Sequence, residues 1–194
     1  MSSDWEARLG ELPPGTHAVL FHRGPVAARR VAGRFAAEGL AHGHAVVLSA
    51  DAAEVERITI TLGAQGLDVD GENARDRLLL LHSDEEQAAR LAGSLEYLLG
   101  WIEDQVKTSE VWIWNHWAGA LTERGRWHDA MALEAAIGDL HGKATVLCHH
   151  DVANLGGENG QGRMDGLATL HDAVFVQDED EAVAPRPAAE VPLP

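Results

Sequence analysis

From His17 onward the chain alternates between short, almost wholly apolar runs and longer amphipathic stretches. Six runs stand out: HAVLFH (17–22), AVVLSA (45–50), RLLLLH (77–82), EVWIWNHW (110–117), ATVLCHH (144–150) and AVFVQ (173–177). They are nearly continuous in apolar residues, where a half-exposed strand would alternate. Strands covered on both faces require this, because each side must meet apolar packing. The pattern therefore predicts six buried strands.

The intervening segments follow a helical period. Pro25 sits where a first helical turn tolerates proline, and Val31, Phe35 and Leu40 follow before Gly43. Asp51 is placed to cap a second helix whose Val55, Ile58 and Leu62 share one face. Ser83 with Glu86 forms a capping box ahead of a stripe of Leu91, Leu95, Leu98, Ile102 and Val106. Ala130, Leu133, Ile137 and Leu140 mark a fourth helix. Strands alternating with helices of this length predict βαβ units: an α/β fold, three-layered, with a mostly parallel sheet of about six strands.

Three segments follow from the pattern. Residues 1–16 form a lead-in ending in the turn Pro13-Pro14-Gly15, and residues 17–177 form the folded domain. Residues 178–194, DEDEAVAPRPAAEVPLP, hold four of the seven prolines and are expected to be a disordered acidic tail.

Composition then narrows the function. The formal net charge is -16, from 15 Lys+Arg against 31 Asp+Glu. Such a surface repels phosphate backbones and anionic lipid, so no direct nucleic-acid or membrane partner is expected. The N-terminus lacks a secretory pattern, no apolar run reaches the roughly 20 residues of a membrane span, and there is one cysteine. A reducing cytoplasm is the expected location. Lysine is confined to Lys107 and Lys143 while arginine and alanine abound, a bias typical of a GC-rich bacterial genome.

In parallel α/β sheets, ligands bind beyond the carboxyl ends of the strands. Those ends read His22-Arg23-Gly24, Ser49-Ala50-Asp51, His82-Ser83-Asp84, Asn115-His116-Trp117 and Cys148-His149-His150-Asp151. Four of the first five carry histidine, which points to a pocket there. The expected lining is His22, Arg23, His82, Asn115, His116, Trp117, Cys148, His150 and Asp151. Trp112 and Trp114 share a strand face and are expected in the core, while Trp117 suits either core or an aromatic pocket wall.

Several chemistries are open at these ends. After the first strand comes HRGPVAARR, with one glycine and no lysine, so the GxxxxGK[ST] phosphate loop of nucleotide hydrolases is absent. A metal site could draw on His22, His116, Cys148 and His150, although no CxxC or HExxH pattern is present. Strand alternation puts Cys148 and His150 on one face and turns His149 away. Cys148 with His150 could form a thiolate centre, or Cys148 could be a small buried core residue.

The order of motifs resembles a known family. PGTHAVLFHR resembles the opening of the MEDS domain, a sensory domain named after methanogen and methylotroph regulators such as the dichloromethane-responsive repressor. In that family Gly-Asp-His precedes an apolar strand ending in tyrosine. AEGLAHGHAVVLSAD resembles its Gly-Leu-x-x-Gly-Glu and following strand. LEAAIGDLHGKATVLCHHD resembles a glutamate-bearing helix and a strand ending in a Cys-x-Tyr-Asp-like run, and LATLHDAVFV its closing segment. The resemblance spans about residues 9–177. By motif, His17, Glu134, Cys148 and Asp151 match. Thr16 stands for aspartate, His22 and His150 for tyrosines, and His44 for glutamate.

The resemblance implies a RecA/KaiC-like core without a phosphate loop, serving as a sensory module coupled to a DNA-binding, histidine-kinase or anti-sigma partner. The expected function is thus non-enzymatic: binding of a small-molecule signal at the strand ends, relayed to a separate regulator such as a kinase, anti-sigma factor or transcription factor. No output domain is recognisable in the sequence, so a stand-alone sensor is expected, acting through that partner or a homo-oligomer. The alternatives are a metal- or haem-binding sensor using the histidines, an enzyme with a Cys148/His150 centre, and a degenerate nucleotide-binding fold.

Overall fold

The computed structural model describes residues 8–82, 100, 102–104, 110–138, 144–156, 159–177 and 184–187. Six strands lie where the apolar runs predict them: β1 (His17–His22), β2 (Ala45–Ala50), β3 (Leu78–His82), β4 (Val111–Asn115), β5 (Thr145–Asp151) and β6 (Ala173–Val176). They form a parallel sheet in the order β3-β2-β4-β5-β1-β6. A seventh strand, β7 (Ala184–Pro187), pairs antiparallel with β6. It lies within the segment expected to be disordered. It stands at the sheet edge, where a strand holding Pro185 and Pro187 is tolerated because one side needs no ladder bonds.

The helices are α1 (Pro25–Ala41), α2 (Ala52–Ala64), α3 (Val69–Ala74), α4 (Trp117–Glu123), α5 (Trp127–Gly138), α6 (Val152–Leu155) and α7 (Gly160–Ala168). Pro25 occupies the first turn of α1, and Asp51 caps α2 by accepting from the Glu54 amide at 2.8 Å. Residues 110–117 do not continue as one strand. Asn115 ends β4, its side-chain oxygen accepts from the Trp117 amide at 3.1 Å, and α4 starts there. The Ser83–Glu86 capping box, Leu91, Leu95, Leu98, Val106 and Leu140 lie outside the described residues, while Ile102 is helical and buried.

Residue parity sorts the sheet into two faces. Ala18, Leu20, Val46, Leu48, Trp112, Trp114, Leu147 and Phe175 pack under α1 and α2, against Phe35, Ile58 and Leu62. On this side α1 comes so close that a Cβ on Gly39 would sit 2.9 Å from Val46 Cγ2 and 3.2 Å from Trp112 Cε3. On the other face, Val47, Ile113, Val146 and Cys148 pack with Ile137 of α5, and Val19, Phe21 and Val174 pack with Met164 and Leu167 of α7. Burial of these large side chains, at about 25 cal/mol per Å² of apolar surface, is the main force holding the layers together.

Candidate functional site

Beyond the carboxyl ends of the strands, on the α1/α2 face, lies a cavity of about 200 Å³. It is lined by His22, Trp114, His116, His149 and Asp151 from strand ends, by Pro25, Ala28 and Arg29 of α1, and by Glu54 and Ile58 of α2. The approach of α1 depends on Gly24, whose φ of 81° favours glycine and whose amide donates to Asp151 Oδ2 at 3.1 Å. Asp151 also accepts from the Ala153 amide at 2.9 Å, so one carboxylate ties β5 to the turns on either side.

The histidines here form a chain whose protons are fixed by partners. His22 Nδ1 lies 3.1 Å from the Gly24 carbonyl, which only accepts, so Nδ1 carries the hydrogen. His22 Nε2 is then a lone pair, and it accepts from His149 Nδ1 at 3.0 Å. That leaves His149 Nε2 as a buried acceptor without a protein partner among the described residues. Both rings stay neutral. Burial holds His22 below its ordinary value against the opposing pull of Asp151 and the Gly24 carbonyl. Burial, reinforced by His116 and His22, pushes His149 well below. Trp114 and His116 both stack on His149, with ring centroids at 4.4 and 4.6 Å. His116 Nε2 lies 3.3 Å from Glu123 Oε1, a hydrogen bond that holds the Glu123 carboxyl below its usual range.

Charge at the pocket is unbalanced. Asp51, Glu54, Glu123 and Asp151 line it against Arg29, and Arg29 is itself held by Glu54 at 2.8 and 3.0 Å. An anionic ligand meets repulsion here, whereas a neutral or cationic one does not.

A second cluster occupies the opposite face, inside the core. His150 Nε2 lies 2.8 Å from Glu134 Oε1. Glu134 Oε2 stands 3.5 Å from His17 Nε2 and 3.4 Å from His171 Nε2. These two contacts are within ion-pair reach yet unaligned as hydrogen bonds, and Oε2 has no bonded partner. Cys148 Sγ accepts from Asn115 Nδ2 at 3.2 Å and lies 3.4 Å from His17 Nε2. Burial pushes the Cys148 thiol well up, as does the nearby Glu134 charge, outweighing the Asn115 bond. Burial also opposes ionisation of Glu134, but the His150 hydrogen bond and the closeness of His17 and His171 outweigh it and hold the carboxyl well below its usual range.

The expected pocket residues thus divide between two places. His22, His116 and Asp151 line the cavity; Cys148, His150 and Asn115 face the other way. Arg23 is exposed, and Trp117 packs against the core cluster that holds Val47, Ile113, Val146 and Cys148 on the far face. His82 ends β3 with its Nδ1 buried and without a bonded partner among the described residues, and does not line the cavity. His149, on the face opposite Cys148 and His150, lines it instead, and Trp114, a core residue as the alternation predicts, also forms part of its wall.

Two of the alternatives fail on geometry. His22 and His116 cannot share an ion with Cys148 and His150, because alternation along β1, β4 and β5 sends the two pairs to opposite faces. A Cys148/His150 thiolate centre is not assembled either. His150 is engaged by Glu134, and the thiol is fully buried and hard to ionise.

The sequence profile described as "MEthanogen/methylotroph, DcmR Sensory domain" matches residues 16–181. This chain belongs to the MEDS family. No curated protein matches it. Among solved structures, the MEDS fold is similar to a KaiC-like protein, PH0186, from Pyrococcus horikoshii OT3, with a TM-score of 0.59. The identity is 11%, over 90% of this chain and 77% of that one. It is one of 145 matching chains, so the shared RecA/KaiC-like core fixes the architecture and not the activity. Where a phosphate loop would join the first strand to the first helix, this MEDS domain has His22-Arg23-Gly24-Pro25. Membership places the chain among sensory domains. Among the described residues no helix is long and apolar enough to cross a membrane.

Proposed function

We propose that this MEDS domain senses a small neutral or cationic molecule that donates a hydrogen bond, such as a small alcohol or amine, in the cavity beside His149. The observation that carries the proposal is the orphaned His149 Nε2. It is the acceptor end of a fixed proton chain, and a buried acceptor left unpaired costs about 1–3 kcal/mol, which a ligand donor would recover. The cavity exceeds the roughly 150 Å³ that holds benzene in an engineered core, so the ligand is of that order of size. Trp114 and Ile58 supply the apolar wall.

Output passes to a separate regulator protein. The net charge of -16 disfavours direct contact with nucleic acid. The cavity is lined by the first turns of both α1 and α2. Occupancy therefore bears on the layer that would carry the signal to a partner surface.

Thermal shift and tryptophan fluorescence against a panel of small alcohols and amines, with carboxylates and phosphates of equal size as controls, test the reading. Saturable binding of donors is expected, with no binding of anions and about a tenfold loss in His149→Phe, the worth of one hydrogen bond. Preferential binding of phosphates or carboxylates would contradict it.

A further inference from the structure

We infer that His17, Glu134, Cys148 and His171 form a closed, tetrahedral site for a zinc-class divalent metal ion in the core of the domain. The inference does not depend on the ligand pocket, which lies on the other face of the sheet.

Proton accounting is the first argument. His17 Nδ1 lies 3.1 Å from the Leu170 carbonyl and His171 Nδ1 lies 2.7 Å from the Leu167 carbonyl. Carbonyls only accept, so each Nδ1 carries a hydrogen, and each Nε2 points inward with a lone pair to offer whenever its ring holds no second proton. They converge on Glu134 Oε2, which is itself an acceptor, and on Cys148 Sγ. All four atoms lie within 4.8 Å of one another, and all four residues are buried. With both rings neutral, only the thiol hydrogen stands among converging lone pairs, and Glu134 Oε2 and His171 Nε2 are unbonded. A cation satisfies them.

The dimensions agree. Metal–ligand bonds of about 2.0–2.3 Å to nitrogen, oxygen and sulfur put the edges of a tetrahedron at roughly 3.3–3.6 Å. Three of the six edges are 3.4 Å (His17–Cys148), 3.5 Å (His17–Glu134) and 3.4 Å (His171–Glu134), and no edge exceeds 4.8 Å. Charge agrees as well. One thiolate and one carboxylate neutralise a divalent ion, which a buried site requires. Metal binding forms the metal–sulfur bond as the Cys148 proton leaves to solvent.

Every candidate ligand is also held from behind, as metal ligands usually are. The Nδ1–H groups of His17 and His171 donate to backbone carbonyls. Asn115 Nδ2 donates to Cys148 Sγ, and His150 Nε2 holds Glu134 Oε1, leaving Oε2 for the ion. One sulfur, two nitrogens and one oxygen select zinc-like ions over magnesium or calcium, and four protein ligands leave no open position. The site is therefore structural. It joins β1, α5, β5 and the turn before β6.

Chelator-stripped full-length protein titrated with Zn²⁺ and Co²⁺ tests the site. One ion per chain is expected, with intense visible d–d bands and a thiolate-to-cobalt charge-transfer band. Uptake should fall at least tenfold in Cys148→Ser and in His171→Ala but persist in His42→Ala, a surface control. Should the core variants fail to fold, zinc-edge X-ray absorption of the wild type serves instead, with one sulfur and three nitrogen or oxygen neighbours expected. No stoichiometric uptake, a sulfur-free shell, or loss of uptake in His42→Ala would overturn the inference.

Discussion

The two faces of one strand put the same side chain to opposite uses. On the α1/α2 side of β5, His149 ends a chain in which every proton is spoken for and a single acceptor is left over. On the other side, Cys148 and His150 enter a cluster where acceptors outnumber protons. The first arrangement suits a neutral donor molecule and the second a cation. Accessibility differs in the same sense: one is a cavity at the rim, the other a closed core site. Histidine count alone therefore says little about chemistry; which nitrogen carries the hydrogen, and what that hydrogen faces, says more.

The comparison can be broken most forcefully from the core side. Glu134→Ala removes the carboxylate that holds His150 Nε2 at 2.8 Å, and leaving that buried donor unsatisfied costs about 1–3 kcal/mol, with the cavity left by the side chain adding to it. Urea denaturation should report that loss, along with loss of metal uptake. A cost below about 1 kcal/mol would mean that the cluster is loosely packed.

Gly119→Ala strikes where the two faces nearly meet. Its Cβ would lie 2.5 Å from the His149 carbonyl oxygen and 3.0 Å from His116 Cδ2, so α4 must shift. Overpacking of this kind costs about 1–3 kcal/mol. The shift should weaken pocket binding in a fluorescence titration more than it weakens metal uptake.

A pH series separates the faces more gently. His22 is held below its ordinary value of about 6.5 by burial, so as pH falls from 6.5 toward its native value the unfolded chain takes up protons first. Stability therefore falls with falling pH in that window, by at most ~1.4 kcal/mol per pH unit for this group. His22→Phe should flatten the slope measured by denaturation at a series of pH values. The smallest effect is expected at Arg29→Ala. Its pairing with Glu54 at the mouth is partly exposed and worth less than about 1 kcal/mol. Losing the cation should nonetheless favour amines over alcohols in the binding panel.

Much of this architecture could be read along the chain. Continuous apolar runs are a strong signal because both faces of every central strand must be covered, and all six became strands within two residues. Asp51 and Pro25 marked helix starts through local chemistry that tertiary packing did not override. The site was legible only in part. Alternation correctly separated His149 from Cys148 and His150, but nothing local says which face carries the cavity. That depends on the sheet order and on which side α1 and α2 cross. Trp117 illustrates the same limit: Asn115 capped the chain into α4 one residue past His116, turning the tryptophan to the far face. Glu134 stood out only through motif resemblance and His171 was not singled out within the closing segment, since their meeting with His17 joins segments more than 100 residues apart.

Histidine ¹⁵N NMR of the whole domain, before and after one equivalent of Zn²⁺, tests the division between the faces most directly. The expected spectrum has hydrogen on Nδ1 of His17, His22, His149 and His171, and zinc then shifts Nε2 of His17 and His171 alone. Hydrogen on Nε2 in place of Nδ1 in these rings, or a zinc shift at His22 and His149, would contradict it.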